Sequence, residues 1–189
     1  EEEEEEEDED EDEDRKVNKR NSGQRIEDAA ERLGYTVDLT LGSPRFVNPM
    51  LMYWNSTIEL RASVEFPVLM QVMGARFRFG AEAGNFKFTN ANYQEVNGNP
   101  VALNATFSGI TIMGIMSFPA GPGKIKIGAG MVGSSFGYTM ESSYGIRIGS
   151  MEVRGGIRST EALSGKTEDS VNLGRVGWMD GQIVLGINL

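Results

Sequence analysis

Two stretches carry glycines at spacings that could hold a phosphate. Gly128-Ala129-Gly130-Met131-Val132-Gly133 spells G-x-G-x-x-G after a short apolar-alternating run. Such glycines grip a pyrophosphate only when a helix N-terminus follows, and Ser134-Ser135-Phe136-Gly137-Tyr138-Thr139 instead continues a strand pattern. Gly165-Lys166-Thr167 has the ending of a phosphate loop, but its first glycine would stand at 160, where the residue is Thr160; it reads as a polar loop. The Asp/Glu alternation over 8–14 lacks the turn glycine of a calcium loop. The chain has no histidine and no cysteine, which removes Ser-His-Asp triads, cysteine nucleophiles and His- or thiolate-ligated metals. The sequence thus points to no catalytic residue, no cofactor and no metal, and the expectation is a protein that is not an enzyme.

A larger group of charged residues recurs at a spacing of two. Arg61, Arg76, Arg78, Lys124, Lys126 and Arg147, with Glu59, Glu65 and Glu82, occupy one row of successive strand-like segments. On a soluble protein they would form a solvated surface; inside a barrel they would have to pair across the interior, because an unpaired buried charge costs several kcal/mol.

The segments that position this row follow from periodicity. Ile58, Leu60, Ala62, Val64 and Phe66 alternate with Glu59, Arg61, Ser63 and Glu65, the signature of a strand with one apolar and one polar face. The same pattern predicts eight strands, at 35–42, 56–66, 71–84, 101–117, 124–138, 144–157, 170–178 and 181–189, with a bulge near Ser150 where the parity changes. The six prolines (Pro44, Pro49, Pro67, Pro100, Pro119, Pro122) fall in the expected connections. Of these connections, 43–55, 85–100 and 158–169 are long, and 67–70, 118–123 and 179–180 short. Seventeen of the 24 glycines lie beyond residue 105, several on the polar row (Gly128, Gly130, Gly149, Gly186), where they would relieve crowding in a narrow interior.

The N-terminal part is different. Residues 1–14 are all Glu or Asp, half of the 28 acids; the other 14 face 18 Lys and Arg, so the remainder carries +4 although the whole chain carries −10. Residues 1–21 read as a disordered acidic/basic tail, since like charges repel and nothing apolar is available to bury. Ile26, Ala29, Ala30 and Leu33 predict one short amphipathic helix over 22–34. The domain proper is 35–189.

An apolar row can face a core or a bilayer. Residues 35–189 resemble the small eight-stranded outer-membrane β-barrel superfamily of Gram-negative bacteria. Ser63-Val64-Glu65-Phe66-Pro67-Val68-Leu69-Met70 is similar to its strand–proline–strand segments, and Gln182-Ile183-Val184-Leu185-Gly186-Ile187-Asn188-Leu189 to its C-terminal assembly strand. The resemblance implies an all-β, eight-stranded antiparallel up-and-down transmembrane β-barrel in the bacterial outer membrane. Its partner would be the lipid bilayer, and its role a non-enzymatic anchor, interaction platform or subunit of an envelope assembly. Envelope protein partners would be met through loops 43–55 and 85–100, where Tyr53, Trp54, Phe86, Phe88 and Tyr93 offer aromatic anchors, or where the same rings would form an interfacial girdle. The alternatives are a soluble lipocalin-like barrel binding an apolar ligand, and an acidic-tract chaperone for basic proteins. Nucleic acid is not an expected partner, because the acidic run opposes binding by the basic cluster beside it.

Overall fold

The computed structural model describes residues 34–48, 51–96, 99–120 and 123–189. The expected acidic tail over 1–21, and the expected helix over 22–34 apart from Gly34, lie outside the described residues.

Nine antiparallel strands form one sheet: β1 (Thr36–Val47), β2 (Asn55–Ser56), β3 (Glu59–Val72), β4 (Ala75–Val96), β5 (Asn99–Ala120), β6 (Gly123–Val132), β7 (Ser135–Ile148), β8 (Met151–Lys166) and β9 (Asn172–Asn188). Eight are long; β2 is a two-residue addition to β4. Each long strand pairs with its sequence neighbours, β9 returns to β1, and the β4–β5 pairing closes the sheet into a ring. Thr36 pairs with Asn188, so β1 begins where β9 ends. The connections 73–74 and 149–150 lie at that end of the ring, here called the turn end. Among the described residues, the loop end carries 51–58, 133–134 and 167–171.

Local chemistry explains the connections. Met73 and Gly74 both have positive φ (50° and 84°) between the paired Val72 and Ala75, the conformation whose twist suits a two-residue hairpin. Gly133 and Gly149, with φ of 60° and 63°, open the other two-residue turns.

Several expected boundaries are corrected. The run 124–138 is two strands, split at Gly133-Ser134, and 144–157 is also two, split by a turn at Gly149-Ser150 rather than bent by a bulge. In both places the apolar row changes parity because a two-residue turn brings residues i and i+3 opposite each other on one face (Val132 with Ser135, Ile148 with Met151). Gly149 is accordingly a turn residue, not a spacer in the interior. The segments 170–178 and 181–189 belong to one strand: Val176, Trp178, Asp180, Gln182 and Val184 hold one parity, all buried. No turn falls at 179–180, and 158–169 is mostly β8.

Most of 85–100 is likewise strand, in the β4–β5 hairpin, and β1 reaches Val47. Proline is not confined to connections. Pro44 sits at a register shift in β1, and Pro67 at one in β3, where Phe66, Pro67 and Val68 stand opposite Phe79 alone. A bulge is where a strand tolerates a missing N–H.

The two faces of the ring are opposite in character. The buried rows hold Thr36, Asp38 and Thr40 on β1, Glu59, Arg61, Ser63 and Glu65 on β3, and Glu152, Arg154, Arg158 and Thr160 on β8. The exposed rows hold Val37, Leu39 and Leu41 on β1, Ile110 and Ile112 on β5, Ile146 and Ile148 on β7, and Ile183, Leu185 and Ile187 on β9. Folding in water alone would reverse this arrangement.

Candidate functional site

The interior is built in layers. Nearest the turn end, Asp38 Oδ2 accepts from Lys126 Nζ at 2.6 Å and Arg154 Nη2 at 2.7 Å. Lys124 Nζ lies 2.9 Å from Glu65 Oε1. β1 and β6 stand four strands apart in a ring of eight, so the Asp38–Lys126 bond crosses the full interior. Arg78 answers the β3 bulge: its guanidinium donates to the carbonyls of Phe66 (2.9 Å) and Gly34 (2.6 Å) and to the Thr36 hydroxyl (2.8 Å). Carbonyls left unpaired by the bulge thereby gain charged donors.

The middle layer is organised by two arginines. Arg61 Nη1 lies 2.6 Å from Glu59 Oε2 and 3.0 Å from Asp180 Oδ2, while its Nη2 donates to Gln182 Oε1 at 2.6 Å. Two glycines make room for it. A Cβ on Gly42 would sit 2.8 Å from Arg61 Nη2, and one on Gly84 2.4 Å from Arg61 Cγ. Arg158, 2 % exposed, reaches across from β8 to Glu82 on β4 (2.6 Å) and lies 3.7 Å from Glu141. Gly186 does for Asp38 what Gly42 does for Arg61: a Cβ there would meet Asp38 Oδ1 at 2.6 Å.

Towards the loop end the inner row turns apolar. Phe86, Phe88, Phe107 and Trp178 form a buried aromatic cluster with ring centroids 4.8 Å apart for Phe86–Phe107 and 5.1 Å for Phe88–Trp178. Met113, Val132, Ala162 and Val176 complete the layer, and Leu51, from the β1–β3 connection, covers it with no exposure of its own. Close packing of this kind excludes water on the loop-end side of the charged layers.

Among the described residues, the outer face carries its charges near the loop end. Glu161 accepts from both Tyr138 and Arg175 there, and Arg45 and Lys87 are exposed at a similar level. Below them, Phe77–Asn85 on β4 and Met151–Ser159 on β8 present no charge outward. Nine residues at about 3.3 Å each, tilted by about 40°, give a band about 23 Å tall.

The aromatic anchors expected from sequence separate into different places. Tyr53 is exposed on the β1–β3 connection, and Trp54 packs half-buried against the aromatic layer. Phe86 and Phe88 lie in β4, not in a loop, and are 2 % and 0 % exposed, so they face the interior rather than a partner. Tyr93 lies in β4, and its side chain is outside the described residues. The G-x-G-x-x-G stretch runs along β6 into a turn and then β7, with no helix after it. Gly165-Lys166-Thr167 ends β8, where Thr167 closes a turn by accepting the Val171 N–H. The sequence row named Arg61, Arg78, Lys124, Lys126, Glu59, Glu65 and Glu82, and all seven enter the interior ion pairs. Arg76 and Arg147 stand at the turn-end opening instead. The row left out Asp38 on β1, and also Glu141, Glu152, Arg154, Arg158 and Asp180, which lie in strands whose turns were misplaced.

No model of a known protein family matches this chain, and neither a curated protein nor a solved structure does. The functional reading therefore rests on the geometry itself.

Proposed function

We propose that the chain is an integral outer-membrane β-barrel that serves as a non-enzymatic anchor or interaction platform of the bacterial envelope. The observation that carries this reading is the inversion of the two faces. Ion-paired arginines, lysines and carboxylates fill the interior, while an uncharged belt about as tall as the ~25 Å apolar band of a membrane barrel girdles the outside. Every long strand finds both neighbours within the ring, so backbone N–H and C=O groups are satisfied without water, which a hydrocarbon environment requires. The filled interior favours a plug over a conduit: Arg158 and Arg61 bridge its middle, and the aromatic layer covers its loop end. An apolar-ligand module is less well supported, since the apolar part of the interior is already packed with its own side chains. Contacts with envelope partners would fall on the loop end, where Met52 and Tyr53 stand exposed.

The test is insertion. Urea-unfolded chain diluted into lipid vesicles should acquire strand structure and protease resistance. Leu185→Arg, in the middle of the outer belt, should lose about 2–4 kcal/mol of that stability. A chain that folds as a monomer without lipid or detergent, and tolerates Leu185→Arg, would overturn the proposal.

A further inference from the structure

The turn end of the ring opens into a cavity of about 470 Å³. Arg76, Arg78, Lys124, Arg147 and Arg154 line it, against only two acids, Glu65 and Glu152. Most of these bases have a carboxylate: Arg147 pairs with Glu152, Lys124 and Arg78 with Glu65, and Arg154 with Asp38 through its Nη2. Arg76 is exposed and enters no ion pair among the described residues. Arg154 is 3 % exposed, yet its Nη1 and Nε lack a hydrogen-bond partner. A buried guanidinium with donors unused, beside a free one at the rim, is the chemistry that receives a carboxylate.

The chain carries a carboxylate source tethered to this opening. Gly34, the first described residue, accepts a hydrogen bond from Arg78 on its carbonyl at the same mouth. Upstream, residues 1–14 hold fourteen acids, of which Arg15, Lys16, Lys19 and Arg20 offset four charges. Nineteen residues separate Asp14 from Gly34, and at about 3.3 Å each they allow ample reach back to the rim. A tether of that length raises the local concentration of the tract to the order of millimolar.

We propose that the basic mouth is a binding site for an acidic peptide segment, and that its occupant is the chain's own acidic tract, residues 1–14. Carboxylates of the tract bind Arg76 at the rim and the unused donors of Arg154 deeper in. Because every residue of the tract is an acid, any of several neighbouring carboxylates can serve. Occupation neutralises the excess positive charge of the opening. The inference stands on the mouth and the tract, and not on the bilayer reading.

A fluorescent peptide with the sequence of residues 1–14 tests this by anisotropy in non-ionic detergent, with strand content checked by circular dichroism. Three full-length chains are compared: the unaltered one, one with each acid of the tract replaced by serine, and that same neutral-tract chain carrying Arg76→Glu and Arg147→Gln. The neutral-tract chain should bind the peptide, and the unaltered chain about tenfold more weakly, because its own tract competes. The rim substitutions should weaken binding by about tenfold or more, as should raising the salt from about 0.05 to about 0.5 M. The salt series on the neutral-tract chain serves alone if the rim variant does not fold. The proposal is overturned if the neutral-tract chain fails to bind, if the unaltered chain binds equally well, or if binding ignores salt or the rim substitutions.

Discussion

Replacing Arg61 with methionine keeps a long, flexible side chain between Gly42 and Gly84 but deletes the charge that three acceptors share. Arg61 lies 2.6 Å from Glu59, 3.0 Å from Asp180 and 2.6 Å from Gln182, and is 2 % exposed. Each carboxylate at this distance attracts the guanidinium by several kcal/mol even at an effective dielectric of about 20. Much of that attraction offsets the cost of desolvation. What the substitution exposes is the asymmetry: Glu59 and Asp180 stay buried and lose the guanidinium that both contact. Breaking a buried pair from one side costs about 3–5 kcal/mol, which is two to three and a half powers of ten in the folding constant, at about 1.4 kcal/mol per tenfold. Reversible urea unfolding in vesicles or micelles measures it, with Trp178, buried among Phe86 and Phe88, as the fluorescent reporter. Adding Glu59→Gln to Arg61→Met should recover about 1–3 kcal/mol, because one of the two buried carboxyls left beside each other becomes an amide. A loss from Arg61→Met below about 1 kcal/mol, the range of exposed pairs, would refute the argument that this layer is sealed from water.

Three further outcomes follow from the same geometry. Phe88→Ala, which opens a hole in the aromatic layer where the ring is fully buried, should cost about 3–5 kcal/mol and blue-shifted Trp178 emission should move to the red. Gly84→Leu should cost more than about 1–3 kcal/mol of ordinary overpacking, because its Cβ would start 2.4 Å from Arg61 Cγ; pairing it with Arg61→Ala should recover part of the loss in the same urea titration. Met73→Asn should instead stabilise the β3–β4 hairpin by about 0.5–1 kcal/mol, read as a higher urea midpoint, since Met73 is fully exposed with φ of 50° and asparagine tolerates that conformation better.

How much of this was legible in the sequence depended on strict alternation. The β3 row, Glu59 to Phe66, could be read residue by residue, because nothing interrupts its period of two. The same alternation gave the right number of long strands through errors that cancelled. Turns at Gly133-Ser134 and Gly149-Ser150 were missed, while a continuous β7 was broken at 139–143 and a continuous β9 was divided in two. Both missed turns had a sign in the parity of the apolar row. Met131 gives way to Phe136, and Ile148 to Met151, a one-step shift that a two-residue hairpin produces as readily as a bulge does. In β9 the parity is unbroken through Asp180-Gly181, yet that dipeptide carries turn chemistry, and only the ladder to β8 and β1 shows that it is spanned.

The aromatic layer was hidden for a different reason. Phe86 and Phe88 keep the parity of Arg78 and Glu82, so they belong to the inner row. Nearby Asn85, Asn90 and Asn92 look like loop residues, and an apolar residue on an otherwise charged row breaks the binary pattern. Partnership across the ring was not legible at all. Arg158 meets Glu82 from 76 positions away, a pairing set by closure of the sheet rather than by anything local.

The most direct measurement places single probes on adjacent residues of one strand. The chain has no cysteine of its own, so Ile183→Cys and Val184→Cys each give a unique label. Ile183 is 60 % exposed on the outer belt and Val184 is fully buried. In vesicles, a fluorophore at 183 should be quenched by a nitroxide carried on the lipid chains and ignore an aqueous quencher, while the thiol at 184 should react with neither a lipid-soluble nor a water-soluble maleimide until the chain is unfolded. A probe at 183 that answers to the aqueous quencher and not to the lipid-borne one would contradict the account, because the belt would then face water and the inversion of the two faces would need another explanation.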